Sequence, residues 1–522
     1  MERRQFLGWG AGASTAALLA ACGGGGDGAP TPAPTPTPTP APAPAPSPAP
    51  SPAPVPGPDA AAWNGLAGRL QGQLLRPGQA DFDRYAKVAN ARFDAVAPLA
   101  LVRCGTAADV VAALAFAREQ GLTLVPRGGG HGYLGNGTVA GGLVVDVGPL
   151  DRVALDGTVA TVGAGAKLSD VYEYLIARGR CIASGSCVTV GIAGIAQGGG
   201  FGIVDRAYGL TCDALLSAKV VTADGRELEC SAAQNADLFW ALRGGGGGQF
   251  AVVTEFRFDT HATTPLTRFG AQFTLADLPA VLDAWQRWPQ QGLPDAIWSQ
   301  LVASPQGACT LWGVAAGGAE VVAPHWQPLL NRIGRAPLNQ SVETYGYREM
   351  MLGGCGTLTT AQCHLPNQHA EGRLGRVAMA ASSDFFDAPL PPAGAAALLA
   401  AMQARSGRAG VAILNLMGGA IGRVAADATA FAHRGALFSA QYVAEYAPGT
   451  SAATLDEAAQ WAHGLRAQMA PWSSGRAYAN YLDGLIADPG PAYWGANLAR
   501  LRRIKTEVDP GHLLRPPAQG LL

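Results

Sequence analysis

His131 and Cys187 are the side chains whose type and setting could do chemistry. The first stands in Arg127-Gly128-Gly129-Gly130-His131-Gly132-Tyr133, the second in Gly185-Ser186-Cys187-Val188-Thr189-Val190-Gly191. An imidazole takes or gives a proton near neutral pH, and a thiolate is a strong nucleophile. Glycines around them remove Cβ atoms and let backbone approach a ligand closely. The pattern continues through Gly194 and Gly198-Gly199-Gly200-Phe201-Gly202, then again at 244–248. Taken singly, a histidine in a glycine loop is a polar turn residue and a lone cysteine a small buried hydrophobe. The motifs around these two decide against that reading. A hydrolase using Cys187 as nucleophile and His131 as base needs a third group to orient the pair, and nothing in the sequence supplies one.

Composition narrows the classes further. The chain has 522 residues, 48% of them apolar, enough to bury at least two sizeable cores. Charged residues are 14% and the net charge is −1, so there is no basic footprint for nucleic acid. The nine cysteines include no CxxC pair, which removes the strongest metal spacing. Cys355 and Cys363 can close a short loop in an oxidising compartment. The glycine clusters spread over about 120 residues, whereas a Rossmann fingerprint sits at one strand-to-helix turn with an acid about 20 residues on.

Elements that must position these residues can be read along the chain. Residues 1–22 look like an export signal: Arg3-Arg4-Gln5-Phe6-Leu7 resembles a twin-arginine motif, and Leu19-Ala20-Ala21-Cys22 a lipoprotein cleavage site. The apolar stretch is too short to span a bilayer comfortably. Residues 23–59 form a linker, almost wholly Pro, Ala, Thr and Ser from 29 to 58, which favours an extended spacer. The expectation is an exported protein, periplasmic or in the cell envelope, touching membrane only through a lipid on Cys22. Folded structure is expected to begin between Ala60 and Ala80.

From there mixed elements follow: strands near 99–102, 122–125, 143–147, 160–162, 216–222, 227–230 and 250–258, the last carrying Val253, with helices near 107–120, 168–178 and 235–242. Asp224-Gly225 marks a hairpin. A second set of strands near 267–274, 296–302, 310–315, 411–416 and 437–445, with helices 278–288, 393–405 and 455–469 between them, predicts an antiparallel sheet with helices on one face. Trp285, Trp288, Trp298, Trp312 and Trp326 concentrate there. The fold class is α+β, divided at 80–262 and 263–475, with 476–522 expected to return to the first domain.

The two glycine motifs, Tyr478-Ala479-Asn480-Tyr481-Leu482-Asp483 and the run from Asn497 to Lys505 followed by Asp509-Pro510 occur in the order found in the berberine bridge enzyme-like oxidases. Over about residues 80–520 the chain resembles that family, within the vanillyl-alcohol oxidase superfamily of FAD proteins. The resemblance implies a two-subdomain FAD-binding fold and a substrate domain. It implies bicovalent FAD, with His131 bonded to the flavin 8α carbon and Cys187 to C6. Val188 departs from the family by standing where a proline commonly follows the cysteine. Covalent attachment gives a reason for both bonds, because an exported enzyme cannot recapture lost FAD.

By the same resemblance, Arg127, Gly128, Gly129, Gly130, Gly132, Gly191, Gly194, Gly198, Gly199, Gly200, Gly202, Val253, Asn480 and Tyr481 belong to the cofactor site, with backbone N–H groups approaching the pyrophosphate. Tyr478 is the expected base, and a phenol with an ordinary pKa near 10 needs help to act as one at neutral pH. Tyr133 lines the substrate side. Asn415 occupies a position that carries an acid in some sugar-oxidising relatives. Val190 leaves room for oxygen beside the flavin, which favours an oxidase forming hydrogen peroxide from an alcohol, either a sugar hemiacetal or a secondary or benzylic carbinol. The alternatives are a dehydrogenase passing electrons to a quinone or cytochrome, and a non-catalytic lipoprotein that binds ligand between its domains.

Overall fold

The computed structural model describes residues 57–515, so the expected export signal, the expected lipidation at Cys22 and most of the expected spacer lie outside the described residues. The fold begins with helix Ala60–Ala67, capped by the Asp59 side chain. Strand Gln73–Leu75 follows and pairs antiparallel with Ala100–Arg103. The first sheet therefore takes in chain ahead of the boundary expected at 80.

That sheet has four strands, Gln73–Leu75, Ala100–Arg103, Leu143–Asp146 and Leu124–Arg127 in spatial order. The last three run parallel. Leu143–Asp146 is buried throughout, as a strand covered on both faces must be, and it is correspondingly apolar in Leu143, Val144 and Val145. Helix Ala107–Glu119 covers it, started by a Thr106/Asp109 capping box. A second, five-stranded antiparallel sheet orders Val153–Asp156, Val159–Gly163, Val252–Asp259, Leu215–Val221 and Glu227–Ser231. The Asp224-Gly225 signal closes the pairing of the last two, with Gly225 at φ 90°.

The third sheet has seven antiparallel strands in the order Asn339–Tyr345, Leu266–Thr274, Ala308–Ala316, Ile297–Ser304, Val411–Leu416, Phe438–Tyr446 and Ala378–Phe386. Its two outer strands, Asn339–Tyr345 and Ala378–Phe386, and the helix Ala319–Ile333 are not among the sequence expectations. That helix carries Pro324 and Pro328, which mask its periodicity. One face of the sheet is a core with the helices, holding Leu301, Leu311, Ala412, Leu414 and Tyr442 together with Trp285 and Trp326. Strand alternation turns Val302, Ile413 and Val443 to the opposite face, where they meet Tyr133 of the first glycine loop. This face and that loop enclose the chamber described next. Among the described residues no helix is long and apolar enough to cross a membrane.

Candidate functional site

The chamber has a volume of about 1760 Å³. Small-ligand sites run roughly 300–1,000 Å³, so there is room for a dinucleotide and a further molecule. One side of it is backbone. After strand Leu124–Arg127 the chain turns through Gly128–Gly130 and meets the segment entering helix Ile192–Gln197 so closely that a Cβ on Gly129 would lie 2.3 Å from Gly191 N. Side chains are excluded at that crossing. Gly194 has nothing within 4 Å of its Cβ position and lines the chamber.

His131 and Cys187, taken from separate loops, line this same chamber, as do Val190 and Val253. His131 Nε2 sits 2.9 Å from Thr189 Oγ1, leaving Nδ1 as the ring nitrogen without a hydrogen bond among the described residues. Burial, reinforced by the charge of Lys167, pushes the imidazole down to about 4, so it is neutral at physiological pH. Gln368 stitches the two loops together: its amide donates to Gly129 O and Thr189 O, both at 2.8 Å. It follows the short loop that the Cys355–Cys363 disulfide closes, and residues Gly353 to Leu358, at the start of that loop, also line the chamber.

These residues fit FAD. Arg127 is buried, ion-paired to Asp146 at 3.0 Å, and its Nη1 has no partner among the described residues, a donor left for an anionic ligand. The glycine wall supplies backbone where a pyrophosphate needs it. A neutral imidazole is the form that can make a bond to carbon.

Gly198, Gly199 and Gly200 are a correction to the sequence reading, because they do not line the chamber. Cβ atoms there would strike Asn480, Phe431 and Thr211, so these glycines admit neighbouring side chains and not a ligand. Gly200 N donates instead to Tyr478 Oη at 2.8 Å, and Asn480 Nδ2 donates to the same oxygen at 2.9 Å. Tyr478 is 2% exposed and stacks on Phe201 at 4.2 Å. Burial raises its phenol above the ordinary range, against the pull of those two donors.

Tyr481 differs. It is half-buried, stacks on Tyr133 at 5.3 Å and faces the chamber; burial and then the Asp205 carboxylate push it up to about 12. Tyr133 accepts from Gln441 at 2.7 Å, and burial raises its phenol strongly.

Several site residues escaped the sequence reading. Asp205 is 2% exposed, lines the chamber, and is pushed up to about 7 by burial, with Oδ1 unpartnered among the described residues. Trp298, Gln300, Trp312 and Gln441 reach the wall from the third sheet. Trp312 Nε1 donates to Gln300 Oε1 at 2.8 Å, and Gln300 Nε2 donates to Asn415 Oδ1 at 2.6 Å. Only strand register brings these three into one row, Gln300 standing opposite both Trp312 and Asn415.

Known proteins resemble this chain in sequence and fold. A family model described as "FAD binding domain" matches residues 98–231, and one described as "Berberine and berberine like" matches 477–518. Glucooligosaccharide oxidase of Sarocladium strictum is 31% identical over 440 residues, 79% of this chain and 85% of its own. The structure of BBE-like 1 from Physcomitrella patens superposes with a TM-score of 0.81 at 29% identity, covering 88% of this chain and 99% of that one. A glucooligosaccharide oxidase from Acremonium strictum, described as holding 6-S-cysteinyl, 8α-N1-histidyl FAD, gives a TM-score of 0.80 at 25% identity, with coverage of 88% and 99%.

Proposed function

This chain belongs to the berberine bridge enzyme-like family of FAD-linked oxidoreductases, and from that premise we propose that it oxidises a CH–OH group of a carbohydrate to a carbonyl, with FAD held by His131 and Cys187 and oxygen as final acceptor. The observation that carries the reading is the shared chamber, in which both candidate attachment residues face the phenols and amides of a substrate wall. When bound, FAD supplies a two-electron hydride acceptor that oxygen can reoxidise. The neutral His131, anchored through Nε2, offers Nδ1 for attachment, in keeping with the histidyl linkage of the Acremonium relative. Arg127 and the backbone at Gly128–Gly130 and Gly191 hold the phosphates.

The chain's own residues manage the substrate and its proton. Trp298 and Trp312, packed edge to face at 5.2 Å, offer ring faces suited to a sugar. Tyr478 is the candidate acceptor of the hydroxyl proton, its oxygen receiving two N–H donors that favour a phenolate and oppose the rise that burial gives the phenol. A second reading gives that proton to Asp205, favoured by a carboxyl that titrates near neutrality inside the chamber. Val190 lies in the chamber wall, and the proposed oxidase needs room for oxygen beside this residue.

Oxygen uptake with a panel of mono- and oligosaccharides tests the function. The expected result is turnover with one hydrogen peroxide formed per sugar oxidised. No uptake, with turnover restored by a quinone, would make the protein a dehydrogenase. We further propose export and lipid anchoring at Cys22; Cys22→Ala is expected to move the protein from the membrane fraction to the soluble one, and unchanged fractionation would sink that part.

A further inference from the structure

Gln368 touches the cofactor side of the molecule from the other domain. It lies between strands Asn339–Tyr345 and Ala378–Phe386 of the third sheet. Its segment is seated on the first domain by Asn367 Nδ2, which donates to Lys87 O at 3.0 Å, and by His364 Nε2, 3.1 Å from Asp170 Oδ2. Shape alone does not distinguish the two ends of an amide, but the three partners of Gln368 do. Leu365 N–H can only donate, and it meets Oε1 at 3.2 Å. The carbonyls of Gly129 and Thr189 can only accept, and both meet Nε2 at 2.8 Å. One NH2 therefore bonds the loop that carries His131 and the loop that carries Cys187.

The bond to Gly129 O decides which way a peptide faces. No peptide bond among the described residues is cis, so each N–H points opposite to the C=O of the same peptide. With Gly129 O drawn to Gln368, Gly130 N–H points the other way. It makes no hydrogen bond among the described residues, and Gly130 lines the chamber. Glycine stands on both sides of this peptide, Gly130 with φ 70°, so local sterics leave it free to turn over. Turned over, it would show a carbonyl oxygen where the phosphates of the cofactor need a donor.

We propose that Gln368 is a positioning residue for FAD: it holds the Gly129–Gly130 peptide with its N–H toward the cofactor's phosphates, so that a residue of the substrate domain completes the cofactor side of the site. This role rests on the FAD reading above, in which Arg127 and the backbone at Gly128–Gly130 hold the phosphates. It adds a selectivity within the flavins. The clamp matters to a flavin that carries a pyrophosphate and not to one that carries none.

Two substitutions remove the clamp. Gln368→Met keeps the length of the side chain and loses both donors, and Gln368→Glu, when ionised, sets an oxygen against two carbonyl oxygens. Both are made in the full chain together with His131→Ala and Cys187→Ala, so that neither proposed bond forms and flavin affinity can be titrated by fluorescence. Relative to that parent, FAD is expected to bind about tenfold more weakly, while riboflavin, which has no phosphate, binds with unchanged affinity. A merely structural role predicts equal losses for the two flavins. Equal losses in both variants, or unchanged FAD affinity in both, overturns the proposal. A crystal structure of the flavin-free Gln368→Met chain reads the same point without titration. A Gly129 carbonyl turned into the chamber, wholly or in part, supports the proposal, and the parental orientation alone overturns it. If the wild type carries no covalent FAD, the attachment under Proposed function fails, while these two measurements, which need no bond, still decide the role of Gln368.

Discussion

The two sides of the chamber are built from different material. On the side of the first two sheets the wall is largely backbone: Gly129 and Gly191 cross with no room for a Cβ, and Gly194 opens to the ligand space. On the side of the third sheet the wall is side chain: Trp298, Gln300, Ile413, Asn415 and Gln441 project from alternate positions of three strands. A wall of backbone serves a ligand that never changes, because N–H groups cannot be varied by substitution. A wall of side chains is where specificity can be adjusted without disturbing the cofactor. Damage to the first side should cost the cofactor, and damage to the second should cost turnover or selectivity alone.

The sharpest way to break this comparison is Gly129→Val. Its Cβ would overlap Gly191 N, forcing the two loops apart, and overpacking of this kind typically costs about 1–3 kcal/mol. The expected product is a folded but colourless protein. A variant carrying full FAD would remove the backbone crossing from the account. Tyr478→Phe belongs to the second kind: flavin content should be unchanged, while kcat falls about 10²–10⁴-fold, the usual contribution of a positioned base.

Asp205→Asn separates the two proton acceptors. If Asp205 is the base, kcat/KM rises with pH near 7 in the wild type and that rise disappears in the variant; if Tyr478 is, the variant keeps the wild-type rate and profile, since that phenol titrates above the ordinary tyrosine range.

The smallest effect concerns Glu445, on the strand beside Tyr133, whose carboxyl is pushed up to about 7 by burial, with Oε1 unpartnered among the described residues. The folded state keeps this proton where the unfolded chain has lost it. Its contribution is therefore most favourable below the ordinary glutamate range near 4.5 and is lost as pH rises toward 7. Glu445→Gln should flatten that fall by about 3 kcal/mol at most, measured by denaturant unfolding at pH 4.5 and 7.5. An unchanged slope would place the pH sensitivity elsewhere, for instance at Asp384, which burial also pushes up to about 7.

The same division explains what could be read from the sequence. His131 and Cys187 each stand in a contiguous glycine-rich motif, so the residues that line the glycine side of the chamber could be picked out locally, though Gln368, which ties the two loops, could not. The meeting of Trp312, Gln300 and Asn415 depends on register between strands up to about a hundred residues apart, and no local pattern announces it. Asp205 hides for another reason: it opens a single-turn helix, Asp205–Tyr208, that no sequence motif marks, and only burial makes its carboxyl unusual. Gly198–Gly200 were legible as glycines and misread in purpose, because their missing Cβ atoms admit Asn480, Phe431 and Thr211. In the fold, Val411–Leu416 was readable to the residue from its apolar run, whereas Asn339–Tyr345 is a largely exposed edge strand without an apolar alternation.

The account turns on whether His131 and Cys187 both bond FAD, and intact-mass measurement of the acid-denatured mature protein tests this most directly. The predicted result is one FAD mass retained on the wild type and on His131→Ala and Cys187→Ala singly, and lost only from the double variant. Release of free FAD from the denatured wild type, or retention by the double variant, would contradict it.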